Sequence, residues 1–199
     1  MIEPPRAKRG RPRTMDSDQT LDVAMRAYWD KDPADVSLNE VCRLAGVSKP
    51  ALYRAFGGED GLMRAVLDRY AEQVLSDVFN VLSHDAPLAE TFDALVHFAC
   101  KAQQMETGCV FYKMRAGKHR LGPETLQRVE EINAGAVEAF ATWLDARRAE
   151  GDWTGDQGAT VMARYLVEQI GLALTQRAAG EDPAHICDTL RLALSVIRS

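Results

Sequence analysis

Residues 37–56 read SLNEVCRLAGVSKPALYRAF, and this stretch decides the fold. The spacing predicts two short helices around a tight turn. Ser37 stands at a capping position, with Glu40 three residues on, the pattern of a capping box. Leu38, Val41, Leu44 and Ala45 recur at helical spacing and predict one apolar face. Gly46 falls where the chain must stop and turn, a place that favours left-handed φ. Val47 is expected to plug the turn. Ser48 is placed to cap the second helix, with Pro50 in its first turn, where a missing N–H costs nothing. Leu52 and Phe56 then face inward, and Lys49, Ala51, Tyr53 and Arg54 face outward. Helix–glycine–helix describes a plain αα-corner as well as a helix-turn-helix whose second helix enters the DNA major groove.

Charge placement favours the second reading. The chain of 199 residues has a formal net charge of −5. Residues 1–56 nevertheless hold ten Lys/Arg against eight Asp/Glu, and the remainder holds fourteen against twenty-one. A basic end and an acidic remainder orient a protein on a duplex. Five of the basic residues lie in the Pro-rich segment 1–15, expected to be a flexible arm. Its centre, Arg9-Gly10-Arg11-Pro12-Arg13, is similar to an AT-hook core. Such a segment is narrow enough for the minor groove, where Arg11 and Arg13 would meet the negative potential over A·T tracts.

Residues 18–70 resemble the N-terminal domain of the TetR family of transcriptional regulators. The matching pieces are LDVAMRAYW, VSLNEVCRLAGVSKPALYRAF and EDGLMRAVLDRY. The resemblance implies an all-α chain of about nine helices. A helix-turn-helix DNA-binding domain over 16–58 would precede a helical ligand-binding and dimerisation domain over 59–199. It further implies phosphate contacts from Ser48, Lys49 and Tyr53, with neighbouring side chains reading bases. Ser37, Ala51 and Arg54 complete the candidate DNA-contact set. Two departures stand out: Lys31-Asp32-Pro33 replaces the usual Lys-Gly, and Glu59-Asp60 replaces the usual Lys-Glu.

The helices expected downstream cover 59–82, 88–104, a short one after Gly108-Cys109, then 124–150, 156–179 and 183–198. The first of these carries Leu62, Val66, Tyr70, Val74, Val78 and Val81 in one line and is long enough to link the two parts. In the last helix Ile186, Leu190, Ala193, Leu194 and Ile197 share a face. In the one before it, Ala163, Gly171 and Ala173 are small enough for close approach. The resemblance makes this pair a homodimer interface, suited to a palindromic operator.

No phosphate loop, metalloprotease motif or nucleophile elbow is present, so no enzyme activity and no cofactor are expected. His97, Cys100 and Cys109 lack a fourth ligand at metal spacing. The four cysteines contain no CxxC pair, and no apolar run approaches the ~18 residues of a membrane span. Together with the absence of a secretory leader pattern, this predicts a reduced, cytoplasmic protein. Cys109, near a helix N-terminus, is either an inert buried thiol or a redox or electrophile sensor. His97, Phe111, Tyr112, Phe140, Trp143, Tyr165 and Gln169 lie amid apolar residues and are the candidates for a small-molecule pocket.

Overall fold

The structure is a computed structural model that describes residues 15–83, 86–102 and 105–197. Arg11 and Arg13 lie outside the described residues. Nine helices and no strands occur among the described residues. They are α1 (Ser17–Asp30), α2 (Leu38–Ala45), α3 (Lys49–Phe56), α4, α5 (Leu88–Lys101), α6 (Val110–Ala116), α7 (Pro123–Ala149), α8 (Ala159–Ala178) and α9 (Pro183–Ser195). Helix α4 is continuous but composite: Glu59–Tyr70, a π-helical turn Ala71–Leu75, and Ser76–Ser83.

The π turn answers a conflict in the sequence. A side chain every four residues drifts around an α-helix, which closes a turn in ~3.6 residues. At the π turn the Ser76 N–H reaches back to Ala71 O, a five-residue step. Leu62, Val66 and Tyr70 are buried ahead of the wider turn, and Val74 within it is buried as well. Val78 and Val81 are partly buried against the same core.

Helix α1 is capped by Asp16, whose Oδ1 accepts from the Gln19 N–H at 3.1 Å. Tyr28, Ala24 and Met25 pack inward. Lys31-Asp32-Pro33 closes the helix differently from the family pattern. Asp32 caps a single 3-10 turn, Pro33–Asp35, and Lys31 Nζ pairs with Glu40 Oε1 at 2.7 Å. Glu40 is therefore engaged with a lysine, and the capping box is met on one side, by Ser37 Oγ accepting from the Glu40 N–H at 3.2 Å.

The inward stripe of α2 is narrower than the sequence suggests. Leu38 and Val41 are buried, but Leu44 is 45% exposed, because eight residues against α1 cover two turns of one face and leave the next turn open. The stripe of α9 also has a different role. Ile186, Leu190, Leu194 and Ile197 are buried against α5 and α8 of the same subunit. Gly171 likewise serves an internal contact: a Cβ there would lie 2.3 Å from the Tyr112 ring. Exposed apolar side chains are instead found at Val161 and Leu172 of α8, at Leu192 of α9 and at Val196 just past its end, each at least half exposed.

Candidate nucleic-acid interface and internal cavity

Helix α3 is lifted from its neighbours at both ends by left-handed glycines, Gly46 at φ 67° and Gly57 at φ 77°. Leu52 is fully buried and Phe56 partly so, anchoring one face. Lys49, Pro50, Tyr53 and Arg54 are exposed on the other, and Ala51 is half-buried between them. The Tyr53 ring lies beside Gly58, at a distance where a Cβ would just touch it. Ser48 occupies the cap position, and its carbonyl accepts the Ala51 and Leu52 N–H groups, but its hydroxyl makes no capping bond. That hydroxyl stands at the positive end of α3, a geometry that suits a phosphate oxygen. Ser37 is exposed but already commits its Oγ to α2. Arg26 on α1 and Arg43 on α2 are exposed as well. Sequence reasoning passed over both, since charge alone marks them.

Polar contacts tie the helix-turn-helix to the rest of the chain, among them Arg69 of α4 with Asp18 and Asp22 of α1. Trp29 Nε1 donates to Gly108 O at 2.8 Å, and Lys113 Nζ donates to Trp29 O. Burial pushes the Lys113 ammonium below its usual range, in spite of Asp30 and Asp32 nearby. Arg120 reaches Asp35 Oδ1 at 2.7 Å and Ala34 O at 3.0 Å. A contact between α4 and α7 explains the Glu59-Asp60 departure. Asp60 crosses from α4 to cap α7, accepting from the Glu124 N–H at 2.9 Å, the Thr125 N–H at 3.0 Å and the Thr125 hydroxyl at 2.6 Å. Burial alone would raise its carboxyl, but these donors and Arg64 outweigh it and hold it below the usual carboxylate range. A Cβ on Gly122 would sit 2.3 Å from the Asp60 carboxyl carbon, so this approach requires glycine.

An apolar cavity of about 50 Å³ lies among α4, α5, α6, α7 and α8. Three of the seven predicted pocket residues, Phe111, Tyr112 and Phe140, line it together, with Cys109 beside them. The other four stand elsewhere. His97 is exposed on the outside of α5. Trp143 packs edge-on against Phe92 at 5.8 Å. Tyr165 donates its hydroxyl to Ala193 O at 3.0 Å, and Gln169 faces a surface groove between α8 and α9. Helical spacing identifies apolar surroundings but not which of several neighbours a side chain meets. The residues of α4 that complete the wall, Leu75, Val78 and Phe79, were missed because helical periodicity does not reveal the π turn beside them.

Cys109 is the N-terminal residue flanking α6, yet its thiol is raised, not lowered. Burial outweighs the Tyr70 hydroxyl, which donates to Sγ at 3.0 Å, and the Phe111 and Tyr112 N–H groups. The Tyr70 ring in turn meets Trp29 edge-on at 5.3 Å. Cys100 and Cys187, far apart in sequence, approach one another. Burial together with Cys187 pushes the Cys100 thiol up to about 12. Among the described residues no three potential ligands cluster as a metal site, and no helix is long and apolar enough to cross a membrane.

Comparisons with known proteins agree with this geometry. Residues 21–66, from α1 into α4, match the family described as bacterial regulatory proteins, tetR family. The HTH-type transcriptional repressor ComR of Escherichia coli is 29% identical over 188 residues, spanning 93% of this chain and 76% of that one. The repressor BdcR of the same organism is 29% identical over 115 residues, 58% of each chain. A cysteine mutant of the TetR family regulator CifR, solved with 26-bp double-strand operator DNA, shares the fold with a TM-score of 0.77 at 20% identity, over 94% of this chain and 98% of that one. Residues 21–66, with their exposed α3, thus form a helix-turn-helix domain of the tetR family of bacterial regulatory proteins, and the helical domain that continues it shares its fold with solved regulators of that family.

Proposed function

We propose that the chain is a homodimeric repressor, acting by binding alone in the cytoplasm, that leaves a palindromic operator when a small molecule occupies the internal cavity. Lys49, Tyr53, Arg54, Ala51, Ser48 and Ser37 are its major-groove face, and Arg11 and Arg13 its minor-groove arm. One observation carries the release step. The cavity wall and the joint to the helix-turn-helix share α6 and the two residues before it: Cys109 and Tyr112 line the cavity, while Gly108 and Lys113 hold Trp29. A ligand that moves α6 therefore strains the contacts that fix α1. Release requires that the ligand bind the off-operator arrangement better. A footprint on the DNA upstream of the gene tests the reading. Protection of an inverted repeat is expected, and absence of protection there and in a random-site selection would overturn it.

In a second reading Cys109 is itself the input, and oxidation replaces the ligand. Its support is that the thiol lines the cavity; the raised thiol works against it. Under this reading Cys109→Ser abolishes release by oxidants, and full release by the variant eliminates it.

A further inference from the structure

Tyr112 belongs to two spaces at once. Its ring is part of the wall of the buried cavity, and it also lines an outer cleft of about 540 Å³ between α6, α7 and α8. The ring leans on Gly171, where even a methyl group would collide with it, and its hydroxyl donates to Val167 O at 2.8 Å. Tyr112 is the one residue common to the two linings, so its ring stands between the spaces. About 50 Å³ admits a few water-sized groups but no ring system, since one water alone occupies ~10–15 Å³ by such a measure. Turning Tyr112 aside would join the two spaces.

The chemistry of the walls limits what can enter. Every side chain around the cavity is apolar except Cys109 and Tyr112, and both spend their polar atoms internally, on Tyr70 and on Val167 O. A carboxylate or ammonium carried inside would meet no counter-charge and no free donor, and would bear its full desolvation cost. On the cleft side, Asn133 Oδ1 is buried without a hydrogen-bond partner. Burying such an acceptor is unfavourable unless a donor arrives to satisfy it.

We propose that the regulating ligand is an uncharged ring compound of low polarity with one hydrogen-bond donor, and that it enters from the outer cleft past Tyr112. Its ring lies against Phe111 and Phe140, and its donor turns toward Asn133. This rests on the reading of the cavity as the regulatory site.

Calorimetry of the full-length protein without DNA, with 2-naphthol and 2-naphthoate as a size-matched pair, tests the proposal. Naphthol is expected to bind, with naphthoate at least tenfold weaker. Equal binding of the two, or no binding of naphthol up to its solubility limit, would overturn it. Ala136→Leu, which fills the cavity from α7, is expected to weaken naphthol at least tenfold, with the smaller Ala136→Val intermediate; wild-type affinity in both would remove the site from the cavity. Tyr112→Phe keeps the ring and cuts the bond to Val167 O, so naphthol association in stopped flow is expected to quicken several-fold. An unchanged rate would exclude Tyr112 as the gate. Operator footprints run alongside separate the two readings. Naphthol that binds without releasing DNA sinks the repressor-release mechanism and leaves the ligand class standing. A protein that footprints but ignores naphthol sinks the ligand class alone.

Discussion

Lys49 heads α3, exposed, with Tyr53 and Arg54 one turn further along the same helix. A lysine is a flexible point charge, suited to a phosphate and poor at reading a base. Lys49→Ala is therefore expected to weaken binding to operator and to random DNA alike. Each released phosphate contact lowers the slope of log affinity against log salt by ~0.9, so a dimer should lose about two units. A salt titration of operator binding measures this, and an unchanged slope would show that Lys49 touches no phosphate. Arg54 has the fork geometry for base edges, so its replacement should relax sequence preference more than it flattens the salt slope. The outward placement of these residues was legible in the sequence because it depends on local geometry. Gly46 has to turn left-handed, Leu52 has to be buried, and what remains on an eight-residue helix has to point away. Ser48 shows the limit of such reasoning: a cap position can be read from spacing, but whether the hydroxyl turns inward cannot.

Helix α7 owes its start to a residue of another helix. Asp60 takes the place of a local cap for α7, whose preceding residue is Gly122 with no side chain to offer. Losing a cap costs about 1–2 kcal/mol, and here the loss also loosens the joint to the helix-turn-helix. Asp60→Ala is expected to cost that much in a denaturant melt at neutral pH, and Gly122→Ala to do similar damage by driving the carboxylate away. The pH dependence has a definite sign. Asp60 is held below the ordinary carboxylate value of ~4, so the unfolded chain takes up its proton more readily than the folded one. Its contribution is complete above that ordinary value and disappears as the pH falls through the folded one. Melts of the wild type and of Asp60→Ala should thus converge on acidification, and a constant gap would show that the ionised carboxylate is not the source. No sequence pattern announces this contact, because its partners stand some sixty residues apart. The same holds for Trp29, whose ring nitrogen and carbonyl both meet residues about eighty positions away. Helix periodicity locates the elements, whereas the polar contacts between them depend on how the elements meet.

At the scale of the molecule, charge and apolar surface divide the chain into ends with different partners. The first 56 residues are net basic and the remainder strongly acidic, so a duplex attracts one end and repels the other. Away from the DNA-facing end, Val161 and Leu172 of α8, Leu192 of the adjacent α9 and Val196 just after it are exposed apolar side chains. The buried stripe of α9 cannot be the subunit interface, since its own core already covers it. We propose that a second copy covers this exposed set, as a two-fold dimer reading a palindromic operator requires. Leu192 is the most exposed of the four, at 70%. Replacing it with glutamate places like charges across the axis without touching the core of either subunit. Leu192→Glu is expected to raise the dimer dissociation constant at least tenfold, about 1.4 kcal/mol, with the thermal melt of the monomer little changed. Sedimentation velocity over a concentration series reads the first effect and a footprint reads its consequence, since a monomer holds one half-site and loses the linked affinity of the pair. A variant that remains dimeric and binds the operator as the wild type does would move the two-fold axis to another surface of the molecule.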